Sequence, residues 1–351
     1  MTTFSTPRTR RWIAGSALLP LFVSLSVATA SPATASGSIA GPTLGQSALP
    51  AATADSDVHV GSFNISGMNS DGNGSGEHQV WAKRMPVAVS QILGEQSDVV
   101  GLQEAYWGTS NPQYLQLRDA LNAKGGTYEV VDTEPGTSAG DRILYNTATL
   151  KVLDHGAQAY TAQAPGKQAR YFSWATFKDL SSGKNFFFSD THLDPYSKSD
   201  TSSSTVKVKE WRELIALIPK LNTAKLPVVT VGDFNTSKWW KEAKTLLPAM
   251  KSAGFGDVMN QQYQKNPPTG VRAEKVENGW INSFNGYRRD VTKYSYSTNH
   301  SKVGNGIDWV FATNSLRVKK WKVVIDFDAK TLKVTGVIPS DHNMLAAVIV
   351  L

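Results

Sequence analysis

Six hydrophobic segments of this 351-residue chain end in polar residues that are able to do chemistry. The terminal residues are acids, amides or histidines, namely Asn64, Glu104, His192, Asp233 with Asn235, Asp308, and Asp341 with His342. In α/β proteins, strand ends carry catalytic groups into loops while the sheet supplies a rigid frame. The pattern therefore predicts one polar site assembled from segments that lie far apart in the sequence.

Two kinds of chemistry are available to such a set of residues. Carboxylate and amide oxygens are the hard ligands that Mg²⁺, Mn²⁺ and Ca²⁺ require. A histidine oriented by a carboxylate moves protons near neutral pH. A divalent cation with two histidines suits phosphate ester hydrolysis, in which negative charge builds up on the phosphoryl and leaving oxygens. Each motif alone is also typical of a solvated strand end or a turn, so the inference depends on all six together.

The elements that must position these residues mix strands with helices. Hydrophobic periodicity predicts helices over 80–93, 112–123, 205–221 and 239–250. It predicts strands over 58–65, 98–103, 142–145, 150–153, 170–177, 185–189, 227–231, 307–311, 318–325, 332–337 and 344–350. The lysine-rich segment 317–322 is expected at a sheet edge, where lysines oppose edge-to-edge pairing. This order of elements favours an α/β sandwich with mixed sheets over a purely parallel doubly wound fold.

The first 56 residues are expected to lie outside the catalytic domain. Three arginines precede a short apolar run and two A-x-A sequences, which is the pattern of a secretory signal peptide over 1–30. The run is shorter than the roughly 20 residues of a membrane-spanning helix. Residues 31–56, rich in Ser, Ala, Gly, Pro and Thr, are predicted to be a flexible spacer. A single catalytic domain is expected over 57–351, secreted by either the Sec or the twin-arginine route.

Composition excludes several classes of protein. The chain is 40% hydrophobic, which excludes a disordered polyelectrolyte. It has no cysteine, so a disulfide framework, a thiolate metal site and a cysteine nucleophile are excluded. The net charge is +7, and removing the three signal-peptide arginines leaves +4. The charge therefore favours an acidic partner only weakly.

Taken in order, the motifs resemble those of the endonuclease/exonuclease/phosphatase superfamily, the DNase I-like hydrolases. The segments that carry the resemblance are SFNI at 62–65, LQE at 102–104, THLD at 191–194, GDFN at 232–235, IDW at 307–309 and SDH at 340–342. The resemblance spans almost the whole of 57–351. It implies a four-layer α/β sandwich, in which two mixed β-sheets pack face to face with helices outside.

The resemblance also implies a cation site and a phosphate contact. Asn64, Glu104 and Asp341 would hold the divalent cation, with Mg²⁺ expected first and Mn²⁺ or Ca²⁺ as alternatives. Arg170 would contact the substrate phosphate, and a surface arginine at a strand end is the alternative interpretation of this residue.

The remaining residues would form the proton-transfer and phosphate-positioning part of the same site. His342 would be the general base, and Asp308 would accept its other N–H and fix the tautomer. Asp233 and Asn235 would position water and phosphate, with a second cation as an alternative. The resemblance leaves open whether Asp233 or His342 takes the proton. His192 would donate to a phosphoryl oxygen or to the leaving group.

Two positions depart from the superfamily pattern. Asp190 stands where relatives often carry asparagine, which is expected to add negative charge near His192. Tyr106 stands where DNase I presents an arginine to the DNA groove, which argues against recognition of duplex DNA through the minor groove.

The function implied is a secreted, monomeric, divalent-metal-dependent phosphodiesterase, with DNA or RNA as the leading substrate. A sphingomyelinase-like phospholipase C acting on phospholipid and a phosphomonoesterase are alternatives within the superfamily. Segment 260–305 contains no long apolar hairpin for membrane docking, and no stable membrane anchor is expected. A non-catalytic secreted protein that binds polyanions is the alternative from another class. Loss of Glu104, Asp233 or His342 would favour it, and all three residues are present.

Overall fold

Strands outnumber helices in the part of the chain that the structure describes. The computed structural model describes residues 55–71, 77–132, 138–195, 201–262, 269–293 and 303–351. The predicted signal peptide and nearly all of the predicted spacer lie outside these residues, so both stay predictions.

Seventeen strands are described, and most are short. In chain order they are β1 (Asp57–Asn64), β2 (Val99–Gln103), β3 (Tyr128–Val130), β4 (Arg142–Asn146), β5 (Leu150–Ala159), β6 (Tyr171–Asp179), β7 (Asn185–His192), β8 (Val228–Asp233), β9 (Phe255–Asp257), β10 (Asn260–Gln262), β11 (Thr269–Val271), β12 (Lys275–Glu277), β13 (Asp308–Thr313), β14 (Arg317–Val323), β15 (Phe327–Asp328), β16 (Lys333–Val334) and β17 (Leu345–Val350). The described helices are α1 (Trp81–Gly94), α2 (Gln113–Ala123), α3 (Thr201–Leu221) and α4 (Ala243–Ser252), with 3₁₀ turns at Met68–Ser70 and Val291–Lys293.

Two large mixed sheets form the centre of the fold. The first has seven strands in the order β12-β14-β17-β1-β2-β4-β3, and the second has six in the order β5-β6-β7-β8-β13-β9. Strand β1 runs parallel to β2 and antiparallel to β17, and β7 runs parallel to β8, which is antiparallel to β13. The expected mixed sheets are therefore confirmed.

The two-residue period of the strands divides the core into layers. In β7, Phe186 and Phe188 belong to the cluster that fills the space between the two sheets, whereas Phe187 belongs to the cluster beneath α3 and α4. In β2, Val99 contributes to the inter-sheet core, and Val100 to the cluster beneath α1 and α2. The layers are therefore helix, sheet, sheet and helix, as the DNase I-like sandwich requires. None of the described helices is long and apolar enough to span a membrane.

Several predicted boundaries are wrong for local reasons. The helix expected from 239 begins only at Ala243, because a turn closed by the Trp240 N–H to the Ser237 carbonyl precedes it. The strand expected over 332–337 shrinks to two residues, since Leu332 and Gly336 both have positive φ. Segment 317–322 is not at the sheet edge, because the short strand β12 pairs outside β14.

Candidate active site

The pairing register of the six-stranded sheet brings three of the predicted residues together. Strand β8 lies between β7 and β13, and Asp233 is the pairing partner of His192 on one side and of Asp308 on the other. Because β13 runs antiparallel to β8, the start of one strand meets the end of the other. Asp233 and Asp308, which are 75 positions apart in the sequence, thus become neighbours through the strand register alone.

The seven-stranded sheet brings the other group to the same place. Asn64 pairs with Gln103 at the ends of parallel strands, and Glu104 follows directly in a left-handed conformation with φ 56°. Strand β17 starts opposite Ser62, so the SDH segment before it lies beside the end of β1. A left-handed non-glycine residue is uncommon and often marks a functional position.

One carboxylate oxygen joins the two groups. Asp233 Oδ2 accepts a hydrogen bond from Asn64 Nδ2 at 3.2 Å and lies 3.5 Å from His192 Nε2 and 3.6 Å from His342 Nε2. Asn64 Nδ2 also donates to Glu104 Oε1 at 3.1 Å. The two sheets are therefore connected through buried polar side chains at the centre of the site.

Burial and neighbouring acids change the proton affinity of this centre. Burial, and after it the charge of Asp308, raises the pKa of Asp233 to about 7. Burial alone lowers the pKa of His342, but the carboxylates of Asp308 and Asp233 outweigh it and raise that pKa well above its usual value. Burial, with the nearby charges of Arg170 and His342, lowers the pKa of His192 well below its usual value. The two imidazoles therefore differ in proton affinity, which suits different roles.

A histidine–carboxylate pair occupies one wall of the site. His342 Nδ1 lies 2.9 Å from Asp308 Oδ2, and both residues are buried. This contact leaves Nε2 of the imidazole facing Asp233 and the cleft. The arrangement has the form of the oriented base seen in catalytic triads.

An open cleft of about 420 Å³ lies over these residues. Its lining includes seven of the nine predicted site residues, namely Glu104, Arg170, His192, Asp233, Asn235, Asp341 and His342. The other two, Asn64 and Asp308, are buried beneath it and contact Asp233 and His342 respectively. All nine predicted residues therefore meet in one place, although geometry alone does not assign their roles.

The donor set fits a hard divalent cation. Carboxylates of Glu104 and Asp341 face the cleft. The Asn64 amide beneath them points its nitrogen at Glu104, and its Oδ1, the atom that would bind a cation, accepts the Ser66 N–H at 3.1 Å. Asp233, Asp308 and His342 also form a buried group, and their potential ligand atoms lie within 4.8 Å of one another. Because the Asp308–His342 contact already joins two of those atoms, the oxygen-rich group fits the ion better.

The buried arginine Arg84 is a positioning residue that the sequence analysis missed. Its guanidinium donates to the backbone oxygens of Ile65, Ser66 and Pro339 at 2.8–3.0 Å, and to Asp71 Oδ1 at 2.6 Å. It thereby ties the loop after Asn64 to the loop before Asp341. Arg84 lies on the apolar face of α1, three residues after Trp81 and four before Ala88, and this spacing could have predicted that its side chain is buried.

Segment 282–287 is the second feature that the sequence analysis missed. Ser283 Oγ accepts the N–H groups of Ile307 and Asp308, while Asn285 and Gly286 donate their N–H groups to the Asp341 carbonyl. The segment therefore connects the strand that carries Asp308 with the loop that carries His342. Only the Asn285-Gly286 dipeptide, a turn signal, marked it in the sequence.

Asp190, which is expected to add negative charge near His192, lies in a buried environment that weakens this charge. Asp190 is fully buried, and Gln103 Nε2 donates to its Oδ1 at 2.6 Å. Burial, followed by the charge of Asp141, raises the pKa of Asp190 well above its usual value. The carboxyl therefore holds a proton to higher pH than a solvated aspartate does, which lessens the negative charge near His192.

Replacing Asp190 with asparagine should make stability less sensitive to pH. A carboxyl whose pKa is raised by folding stabilises the native state below its unfolded pKa, about 3.9, and that stability is lost as pH rises through the folded pKa. Asp190→Asn removes this loss, so its Tm should fall less than that of the unmodified protein between pH 5 and pH 8. Thermal unfolding across this range measures the difference, with Asp154→Asn on exposed strand β5 as control. Parallel Tm curves would mean that Asp190 is ionised in the folded protein.

The sandwich and the clustered acids and histidines together define a class, the phosphoric ester hydrolases. Residues 61–342 match the model of the endonuclease/exonuclease/phosphatase family, so the chain belongs to this family. Members of the family are phosphoric ester hydrolases and typically depend on a divalent metal. No curated protein sequence matches the chain significantly.

Solved structures of the same fold are similar over most of the chain. An endonuclease/exonuclease/phosphatase family protein from Bacteroides thetaiotaomicron is 19% identical, with a TM-score of 0.61, covering 85% of this chain and 99% of that one. The mannosyl-6-phosphatase Bt3783 of the same organism is 19% identical, with a TM-score of 0.59 and coverage of 84% and 100%. TDP2 of D. rerio, complexed with a single-strand DNA product, is 18% identical, with a TM-score of 0.54 and coverage of 84% and 99%.

Proposed function

We propose that the chain is a Mg²⁺-dependent phosphodiesterase whose substrate is nucleic acid. The observation that carries the proposal is the convergence of His192, His342 and Asn64 on Asp233 Oδ2, beneath a cleft that Glu104 and Asp341 also face. A phosphate ester needs a cation, a proton acceptor and hydrogen-bond donors around one phosphorus atom, and these side chains supply each of them.

The cation would be held by Glu104, Asp341 and Asn64. When bound, it supplies positive charge to the phosphate oxygens and so favours the charge that develops during hydrolysis. The two carboxylates provide oxygen ligands of the type that Mg²⁺ prefers. Asn64 would add its Oδ1 through the lone pair that the Ser66 N–H does not use. Gly67 N–H donates to Glu104 Oε2 at 3.3 Å and orients that carboxylate.

His342 would accept the proton of the attacking water. Asp308 holds its Nδ1 at 2.9 Å, so Nε2 of the neutral ring is the atom that takes the proton. Because the neighbouring carboxylates raise the pKa of His342, the ring would act as the base once the charge of the bound cation had lowered that pKa. Asp233, 3.6 Å from that Nε2, would orient the water and stabilise the charged imidazole. Asn235 would contact the phosphate, since its backbone N–H donates to Asp233 Oδ1 at 2.8 Å and its side chain lines the cleft.

His192 and Arg170 would act on the other oxygens of the phosphate. Both line the cleft, and the Arg170 charge is among the causes of the lowered His192 pKa. The imidazole is therefore neutral and offers one N–H to a phosphoryl or leaving oxygen, while the guanidinium supplies positive charge.

Nucleic acid is preferred to the other substrates on two grounds. The fold is similar to that of TDP2, whose structure contains a single-strand DNA product. A phospholipid requires an apolar docking surface, and of the large exposed apolar side chains described, Leu153, Leu180 and Phe284, only Phe284 lines the cleft. A phosphomonoester is the second candidate, because a cleft of about 420 Å³ fits a small molecule and the fold is similar to a mannosyl-6-phosphatase.

A substrate panel tests the proposal. Plasmid DNA, single-stranded DNA, RNA, sphingomyelin and mannose 6-phosphate are each incubated with the protein and Mg²⁺, Mn²⁺ or Ca²⁺. We expect hydrolysis of nucleic acid with Mg²⁺, and faster cleavage of single strands than of duplex because Tyr106 replaces a groove-reading arginine. A His342→Ala preparation excludes contaminating nucleases. Exclusive hydrolysis of mannose 6-phosphate would replace the proposal with the phosphomonoesterase, and inertness toward every substrate would favour the binding protein.

A further inference from the structure

The cleft is lined by ionisable residues and by uncharged residues, and most of the uncharged residues have no role in the proposed hydrolysis. Its ionisable residues surround Asp233, as described above. Its uncharged residues include two amides, two aromatic rings and one aliphatic side chain, namely Asn282, Asn305, Phe284, Trp240 and Ile307. An uncharged wall beside a phosphate site is suited to the organic group that the phosphate carries.

Phe284 is held in the cleft by its neighbours. Ser283 and Asn285 are 1% and 2% exposed, whereas Phe284 between them is 44% exposed. The Phe284 backbone forms an isolated bridge with His342, and its ring lies edge-on to the imidazole at a centroid distance of 5.1 Å. The backbone contacts of the segment thus keep an apolar ring in solvent within reach of the reacting phosphate.

Asn282 supplies hydrogen-bond donors beside this ring. Its Oδ1 accepts the backbone N–H of Asn305 at 2.6 Å, which fixes the orientation of the amide. The groups that the side chain retains for a ligand are the two N–H groups of its amide nitrogen. The partner that fits is therefore a group with hydrogen-bond acceptors.

Trp240 adds a second aromatic ring to the lining. The ammonium of the buried Lys207 lies 5.1 Å from its ring centroid and donates to the Asn235 carbonyl at 2.6 Å. The indole is thus anchored to the segment that carries Asn235. Flat, acceptor-bearing groups match such a wall, because every nucleobase has a π-face for stacking and carbonyl or ring-nitrogen acceptors on its edge.

We propose that Phe284, Asn282 and Ile307 form a subsite for the nucleobase next to the scissile phosphate, and that Phe284 is its specificity-determining residue. The proposal rests on the proposed phosphodiesterase function and deepens it, because it names the part of the substrate that this chain recognises. The ring stacks on the base, and the Asn282 amide donates to the acceptors on the edge of the base.

Two chromogenic diesters with the same leaving group test this subsite. Thymidine 5′-(p-nitrophenyl phosphate) carries a base, and methyl p-nitrophenyl phosphate does not. The unmodified protein should have the higher kcat/KM for the thymidine ester. Phe284→Ala should reduce kcat/KM for that ester at least about 5-fold more than for the methyl ester, the scale of one lost base–aromatic stack. Phe284→Trp should restore the preference.

Controls separate recognition from loss of structure. Leu180→Ala removes another large exposed apolar side chain that does not line the cleft, and it should leave both rates unchanged. Thermal unfolding of Phe284→Ala checks the fold. An equal loss on both esters would overturn the subsite and make Phe284 a support for His342. Equal kcat/KM of the unmodified protein on the two esters would also overturn it while leaving the hydrolase intact, whereas hydrolysis of neither ester would contradict the proposed function itself.

Discussion

Replacing His342 with alanine is expected to lower kcat at least about 10²-fold, the scale of general acid–base catalysis. The imidazole is buried and held by Asp308 at 2.9 Å, so a random water molecule cannot take its place in the same geometry. The loss should appear in kcat more than in KM, because the imidazole acts on the water rather than on the bound substrate.

Replacing Asp308, the hydrogen-bond partner of His342, is a second test of the same role. Asp308→Asn preserves the size of the side chain but removes the charge that orients and stabilises the imidazole, and it should also lower kcat strongly. His155→Ala is a suitable control, since this histidine lies on exposed strand β5 away from the cleft. Steady-state kinetics with thermal unfolding as a check on folding measure these effects. A His342→Ala protein with more than about a tenth of the original kcat would refute the base assignment.

Removing the divalent cation is expected to abolish hydrolysis. The cleft contains the carboxylates of Glu104, Asp233 and Asp341, which repel one another and an anionic phosphate unless a cation neutralises them. Excess EDTA should therefore stop turnover, and added Mg²⁺ should restore it. Full activity in excess EDTA would refute the metal mechanism.

Glu104→Gln isolates the cation site from the rest of the machinery. The change keeps the shape of the side chain and removes one negative ligand, so it should weaken cation binding at least about 10-fold. Calorimetric titration with Mg²⁺ and the electron paramagnetic resonance of bound Mn²⁺ measure affinity without relying on turnover. Glu129→Gln, which changes an exposed residue of β3, is the matched control. Unchanged Mn²⁺ binding by Glu104→Gln would show that the cation is held elsewhere.

The sequence was sufficient to predict the longer strands and the residues at their ends, but not the short strands β3 and β9 to β12. Continuous hydrophobic runs such as Phe186–Phe188 are visible without a structure, and the polar residue that follows each run marks its end. The family resemblance predicted that these separate strand ends form one site. All nine predicted residues meet there because parallel and antiparallel neighbours bring the correct strand ends to the same edge.

The missed features depend on pairing between distant segments. Arg84 donates hydrogen bonds to backbone oxygens, and one of these belongs to Pro339, more than 250 residues away. No local sequence pattern encodes such a contact. Segment 282–287 is likewise positioned by the loop at 339–343 rather than by its own periodicity. The raised pKa of Asp190 was not predictable from the sequence either, because burial, its main cause, is a property of the packed sheets.

The place of strand β17 in its sheet has a consequence for the order of synthesis. This strand pairs with β1 on one side and with β14 on the other, and its register joins Asp57 to Val350. A chain still growing on the ribosome therefore cannot complete the sheet until residues 345–350 emerge, and such long-range pairing forms slowly. Because Asp341 and His342 directly precede β17, a partly synthesised chain lacks both. The proposed site is thus complete only after synthesis has passed residue 342.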